Sequence, residues 1–194
     1  MSAATGGFPG DDLIADPLIV VDRHATFAAP PAAVWPWLLQ VGKGRAGWYL
    51  PGWLEAVVPR ARRGARAIDP SLQDVVPGTE TGDWGPGEPA FRAVTVDAQR
   101  ALVWLSLRDP ARGHRWPADD LPPWAPEVLA FSWALLVLED AAGGTHLHIR
   151  LRMDKGAWRT SPRFRIMRPA FDFFDWLTIV GLFAGLRERL AAVR

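Results

Sequence analysis

A chain of 194 residues, 49% hydrophobic and 22% charged, is long enough to bury one sizeable core and most simply forms one domain. A net charge of +1 gives no global electrostatic case for nucleic acid, and the absence of cysteine removes disulfides, thiol catalysis and thiolate metal sites. Eleven tryptophans stand against one tyrosine. Each indole brings a large apolar surface and one N–H donor, so these residues belong either to the core or to the wall of a cavity for a flat or apolar ligand.

Residues 1–17 read as a flexible N-terminal arm and residues 18–194 as the domain. The arm has no basic segment followed by an apolar core, so no signal peptide is visible and a cytoplasmic location is expected. The stretch 18–28, LIVVDRHATFA, alternates as a strand, with Val21, Ala25 and Phe27 on one face and Asp22, His24 and Thr26 on the other. Pro30–Pro31 ends it, and Pro31 suits the first turn of a helix over 32–40 that Pro36 should kink or delay. Glycines break that helix, and a short second helix is expected near Gly52. Residues 60–66 hold four arginines, either a solvated loop or a contact for an acidic partner or membrane surface. Residues 68–84 read as loop, 90–97 and 101–108 as short strands, and 109–126 as a Pro-rich loop with two tryptophans. The near-continuous apolar run 128–138 fits a strand covered on both faces. Ala142–Gly143–Gly144 then turns the chain into 145–153, where Leu147, Ile149, Leu151 and Met153 alternate with His146, His148, Arg150 and Arg152. Beyond Pro169 the segment 164–193 suits a long helix. Its uncharged run, Trp176 to Leu186, is eleven residues, where a bilayer crossing needs roughly twenty. The helix is therefore expected to lie buried on an apolar surface. The order of elements is that of an α+β protein with helices on one face of an antiparallel sheet.

Three constellations could carry chemistry. Asp172 and Asp175 lie within about 60° of each other on a helix, on the arc that carries Ile179, Leu182 and Leu186. Carboxylates on an apolar arc are costly unless paired or wet. They are either cavity groups with raised pKa values suited to proton transfer, or partners of Arg163, Arg165 or Arg168 at the positive end of the helix. His146 and His148 share a strand face, which is half of a metal site or a solvated surface, with His24 and His114 as third candidates by elimination. If that face looks into a cavity, Arg150 is a natural anchor for a ligand carboxylate or phosphate. Gly181 and Gly185 form GxxxG, read here as a site of close packing. No Ser-His-Asp order, phosphate loop or dinucleotide fingerprint stands out, so no cofactor and no metal are expected.

The stretch AAPPAAVWPWLLQVGKGRAGWYLPGWLE, residues 28–55, resembles the N-terminal signature of the SRPBCC superfamily, the START and Bet v 1-like proteins that include polyketide cyclases. Further matches follow in order: Ile68, Pro70, Leu72 and Gln73; Phe131, Ser132, Trp133 and Leu135; Thr145, Leu147, Arg150 and Arg152; and Phe171 to Arg189, ending in G-L-R-E-R. The chain departs from the pattern at Leu50, Pro51, Gly52, Ala56, Thr79 and His146. The resemblance implies a helix-grip fold: a curved antiparallel sheet wrapped around the long C-terminal helix, two short helices after the first strand, and a deep apolar cavity between sheet and helix. It implies a ligand class (lipid, polyketide or similar) rather than a reaction. The residues expected to contact that ligand are Trp37, Trp48, Tyr49, Trp53, Trp104, Phe131, Trp133, Arg150, Trp176 and Ile179. Two readings follow: a carrier or sensor of a hydrophobic small molecule, or a cyclase- or dehydratase-like enzyme using Asp172 or Asp175 as acid/base. The expected partner is the small molecule, with no nucleic acid and no stable membrane insertion; the apolar helix leaves a homodimer open.

Overall fold

The computed structural model describes residues 7–118 and 122–192. The start of the expected arm, the middle of the Pro-rich loop and the end of the expected helix at Val193 lie outside the described residues. Six strands form one antiparallel sheet: β1 (Ile19–Phe27), β2 (Glu80–Gly82), β3 (Ala90–Asp97), β4 (Ala101–Arg108), β5 (Leu129–Glu139) and β6 (Thr145–Asp154), in the order β1-β6-β5-β4-β3-β2. Two helices follow β1, α1 (Pro31–Gln40) and α2 (Gly52–Glu55), and the chain closes with the 30-residue α3 (Pro162–Ala191). The architecture is the helix-grip arrangement of an α+β protein, with the sheet curved around α3.

Register decides which side chains face α3. Trp104 pairs with Trp133, Trp133 with Leu151, and Leu151 with Val21, so all four point to the concave face. The same parity puts Arg23 of β1 on that face, between Val21 and Ala25. It puts Asp22, His24, His146, His148, Arg150 and Arg152 on the convex face, as the alternation of 145–153 predicts. Convex Leu105 and Leu107 are nonetheless buried, because Ile14 and Val128 cover them. The N-terminal stretch runs across this face: Asp11 accepts from Arg150 Nη1 at 2.9 Å and Arg152 Nη1 at 3.1 Å, and Arg152 also donates to the carbonyl of Ile14. Burial on both faces explains why β4 and β5 read as apolar runs rather than alternating ones.

Two helical expectations need correcting. α3 starts at Pro162, ahead of Pro169, which sits inside the helix without ending it. Pro162 occupies the first turn, where a missing N–H costs nothing. Nor is α3 buried throughout. Ile179, Leu182, Phe183, Leu186 and Leu190 enter the main core, whereas Ile166, Met167, Phe173, Phe174, Trp176, Leu177 and Val180 are exposed. By length and composition alone the helix could cross a bilayer, and only 28% of its most apolar window is buried in the fold. The region 68–84, read as loop, also contains β2; three residues are too few to display a strand period.

The C-terminal half of α3 is fixed by Arg189, which is 1% exposed. Its Nε donates to the Ala65 carbonyl at 2.7 Å, Nη1 to those of Gly185 and Leu50, and Nη2 to Gly64 and to Glu55 Oε1 at 2.8 Å. Every guanidinium N–H is satisfied, which is what a buried arginine requires. Burial pushes the Glu55 carboxyl up, but hydrogen bonds from Arg189 and Arg66 outweigh it and hold the group below its ordinary range. Gly185 permits the close approach: a Cβ there would stand 2.6 Å from the Tyr49 carbonyl carbon. Replacing Arg189 with Met should cost roughly 3–5 kcal/mol, because it leaves a buried carboxylate with Arg66 alone and takes the donor from four backbone carbonyls. Arg115→Ala, which breaks the exposed Arg115–Glu88 pair, should cost under about 1 kcal/mol. Denaturant unfolding measures both, and equal losses would refute the assignment.

Candidate functional site

Between the concave face and the middle of α3 lies a cavity of about 1060 Å³. Its floor is sheet: Trp104, Phe131, Trp133 and Leu151, with Phe91 and Thr81 toward the β2 edge. Its roof is α3, through Phe171, Phe174, Asp175, Thr178 and Ile179. Residues 41–48 and 61–63 close the end near β2. Gly42 and Gly47 bridge each other, and Lys43 bridges Gly82, so this loop is stitched to the sheet edge. Gly47 sits at φ +77°, a left-handed conformation that favours glycine, and this turn presents Trp48 to the cavity. Trp48 stacks on Trp133 with centroids 5.6 Å apart, meets Trp84 edge-on, and donates its Nε1 proton to the carbonyl of Thr178 at 3.1 Å. That bond ties the loop to α3 at the mouth.

Three polar features interrupt the apolar wall. Trp104 is 2% exposed, and its indole Nε1 has no hydrogen-bond partner among the described residues. A buried, unpaired N–H loses its water without compensation. The second feature is Asp175. Its side chain is 8% exposed and Arg23 Nη2 stands 3.0 Å from Oδ2. The approach is off-line, and neither that oxygen nor Arg23 Nε has an aligned hydrogen bond. The pair therefore offsets burial only in part. Burial pushes the Asp175 pKa up, Arg23 pulls against it, and Asp172 adds a smaller upward push; the net direction is upward. The third feature is charge at the β2 end. Asp83 binds Arg108 and accepts from the backbone N–H of Trp84, and Lys43 Nζ donates to the Asp83 carbonyl at 2.7 Å. Lys43, Arg62 and Arg63 give this end a cationic rim.

Of the residues expected at a ligand site, Trp48, Trp104, Phe131, Trp133, Ile179 and Asp175 are brought together around the cavity. The others lie outside its lining. Trp37 and Tyr49 are core, packed edge-on at 5.6 Å, with the Tyr49 hydroxyl donating to the Trp37 carbonyl. Trp53 is 75% exposed on α2, and Trp176 points outward from α3. Asp172 is half-buried, and only its backbone carbonyl meets Arg23, at 3.5 Å. Arg150 belongs to the convex face, bound to Asp22 and Asp11. There His24 joins His146 and His148 across the strands, but no group of His, Asp or Glu among the described residues is arranged to hold a metal ion. Residues that reading the sequence missed include Arg23, which takes the place expected for Arg163, Arg165 or Arg168. Its strand parity was the available signal. Phe174 and Thr178 had none, because their role depends on how α3 is rotated.

No protein-family model matches the chain, and comparison with curated proteins finds no match. Solved structures share its fold. Protein Ms6760 from Mycobacterium smegmatis is 16% identical, with a TM-score of 0.50 over 91% of this chain and 93% of its own. Protein SA2116 from Staphylococcus aureus is 8% identical, with a TM-score of 0.50 over 90% and 94%. DynU16, a protein in the dynemicin biosynthetic locus, is 14% identical, with a TM-score of 0.44 over 85% of this chain and 45% of its own. At these identities the likeness is one of fold.

The raised pKa of Asp175 makes a signed prediction. Between 3.8 and its folded value, the folded chain holds a proton that the unfolded chain has released, so this group's contribution to stability falls as pH rises through that window. The stability of the wild type minus that of Asp175→Asn should therefore decrease with rising pH and then level off. Thermal melts across the acidic range test it; a difference that grows with pH would mean that the Arg23 ion pair outweighs burial.

Proposed function

We propose that this is an SRPBCC-type protein that binds a hydrophobic small molecule, of the lipid or polyketide kind, in the cavity between the sheet and α3, as a carrier or sensor. The observation that carries the reading is the cavity itself: about 1060 Å³, walled by stacked indoles, with one buried N–H awaiting an acceptor. Such a volume lies at the upper end of the range for small-molecule sites, roughly 300–1,000 Å³. The indole walls favour a flat apolar body, the Trp104 N–H favours a carbonyl, hydroxyl or ether oxygen, and the cationic rim favours a carboxylate or other anion. The anionic fluorophore 1-anilinonaphthalene-8-sulfonate is a suitable probe. It should bind at one site per chain, and Thr178→Trp, which fills the mouth, should abolish binding. Binding that survives Thr178→Trp unchanged would remove the cavity from consideration.

One observation favours a second reading. Asp175 is a carboxyl with a raised pKa at an apolar cavity, the kind of group that can act in proton transfer. A cyclase- or dehydratase-like enzyme would use it as the acid/base; Asp172, outside the lining, would only tune it. Asp175→Asn should then abolish turnover of a polyketide-like substrate while leaving probe affinity within a few-fold. Turnover unaffected by that change would leave the carrier reading alone.

A further inference from the structure

The outer face of α3 has no partner in the fold. At 100° per residue, Ile166, Ala170, Phe173, Leu177, Val180 and Ala184 fall within an arc of about 80°, opposite the arc of Asp175, Leu182 and Leu186 that meets the sheet. Ile166 is 80% exposed, Phe173 55% and Leu177 49%. From Ile166 to Val180 the strip runs about 21 Å, long and contiguous for a surface that meets only water. Its charges are one-sided. Arg163, Arg165 and Arg168 stand exposed at its N-terminal end and Arg187 at the other. Of the acids on α3, Asp175 pairs with Arg23 and Glu188 with Arg66, and Asp172 lies about 120° around the helix from the middle of the strip. Phe174 stands between the strip and the cavity, which it lines, and Arg62 and Arg63 stand exposed on the cavity rim.

We infer that this face docks on the surface of an anionic lipid bilayer, with the mouth of the cavity turned toward the lipid. The chemistry is that of an interfacial helix, with one apolar face for the acyl boundary and cations at headgroup level, the domain itself covering the other face. Charge argues against a second copy of the chain as the occupant. Paired antiparallel, the strips would set Arg163 and Arg165 against Arg187; paired parallel, they would set the three N-terminal arginines against themselves. An anionic surface answers every one of these cations.

The test is co-sedimentation of the full chain with two sets of vesicles, one of phosphatidylcholine alone and one in which phosphatidylglycerol replaces a share of it. The chain should sediment with the second set and at least tenfold less with the first. Exchanging Arg163, Arg165 and Arg168 together for Gln should weaken binding on the order of 100-fold. Phe173→Ser with Leu177→Ser should abolish it. None of these residues lines the cavity, so the fluorophore should still bind both variants, which separates failure of docking from failure of the cavity reading. Absence of sedimentation with both vesicle sets would overturn the inference. So would equal binding to both, or a dimer in solution that Phe173→Ser with Leu177→Ser dissociates.

Discussion

Arg189 holds this structure to its shape. A buried guanidinium is tolerated only when each N–H has an acceptor, and here the acceptors come from three separate stretches of chain. Gly185 lies on the same helix, Leu50 and Glu55 on the segment around α2, and Gly64 and Ala65 on the arginine-rich loop. One side chain thus fixes the C-terminal half of α3 to the two segments that wall the end of the cavity. Glu55 then recruits Arg66, and Arg66 reaches Glu188, so the network returns to the helix it started from. The cavity exists because α3 is pinned here by Arg189 and at its middle by Arg23 and Trp48. The sheet curves away from α3 beside the middle pin, where residues 171–179 roof the cavity.

That arrangement divides the polar groups of the concave side into two kinds. Around Arg189 every donor is satisfied, and the role is structural. In the cavity satisfaction is incomplete: Trp104 Nε1 is unpaired, and Asp175 faces Arg23 without an aligned bond. Folding gains nothing from those two defects. A ligand that supplies an acceptor to the indole, and a polar group near the carboxyl, would gain from both. The same logic separates the faces of α3. The inner face of its C-terminal half is packed into the core, whereas its outer face leaves large apolar side chains in water beside exposed arginines.

Much of the fold was legible in the chain because burial leaves a period. The alternation over 145–153 put Arg150 and Arg152 on the polar face, and the strands at 90–97 and 101–108 stand where they read. The motif ends WLE and GLRER contain Glu55 and Arg189, which bond to each other, though nothing in their spacing announces the contact. The site was less legible, for identifiable reasons. Eleven tryptophans are equally apolar in sequence; only strand register puts Trp104 and Trp133 side by side on the concave face. Arg23 was assignable by parity but sits among residues that invite attention to Asp22 and His24. The exposed strip on α3 ran against the expectation that apolar residues are inside, and only the rotation of the helix about its axis reveals it.

A crystal structure of the protein with 1-anilinonaphthalene-8-sulfonate bound would bear most directly on the cavity as a ligand site. The naphthalene should lie against Trp48 and Trp133, with the sulfonate toward Lys43 and Arg62. A fluorophore bound elsewhere, with the indoles of Trp48 and Trp133 collapsed to fill the space beneath α3, would contradict it.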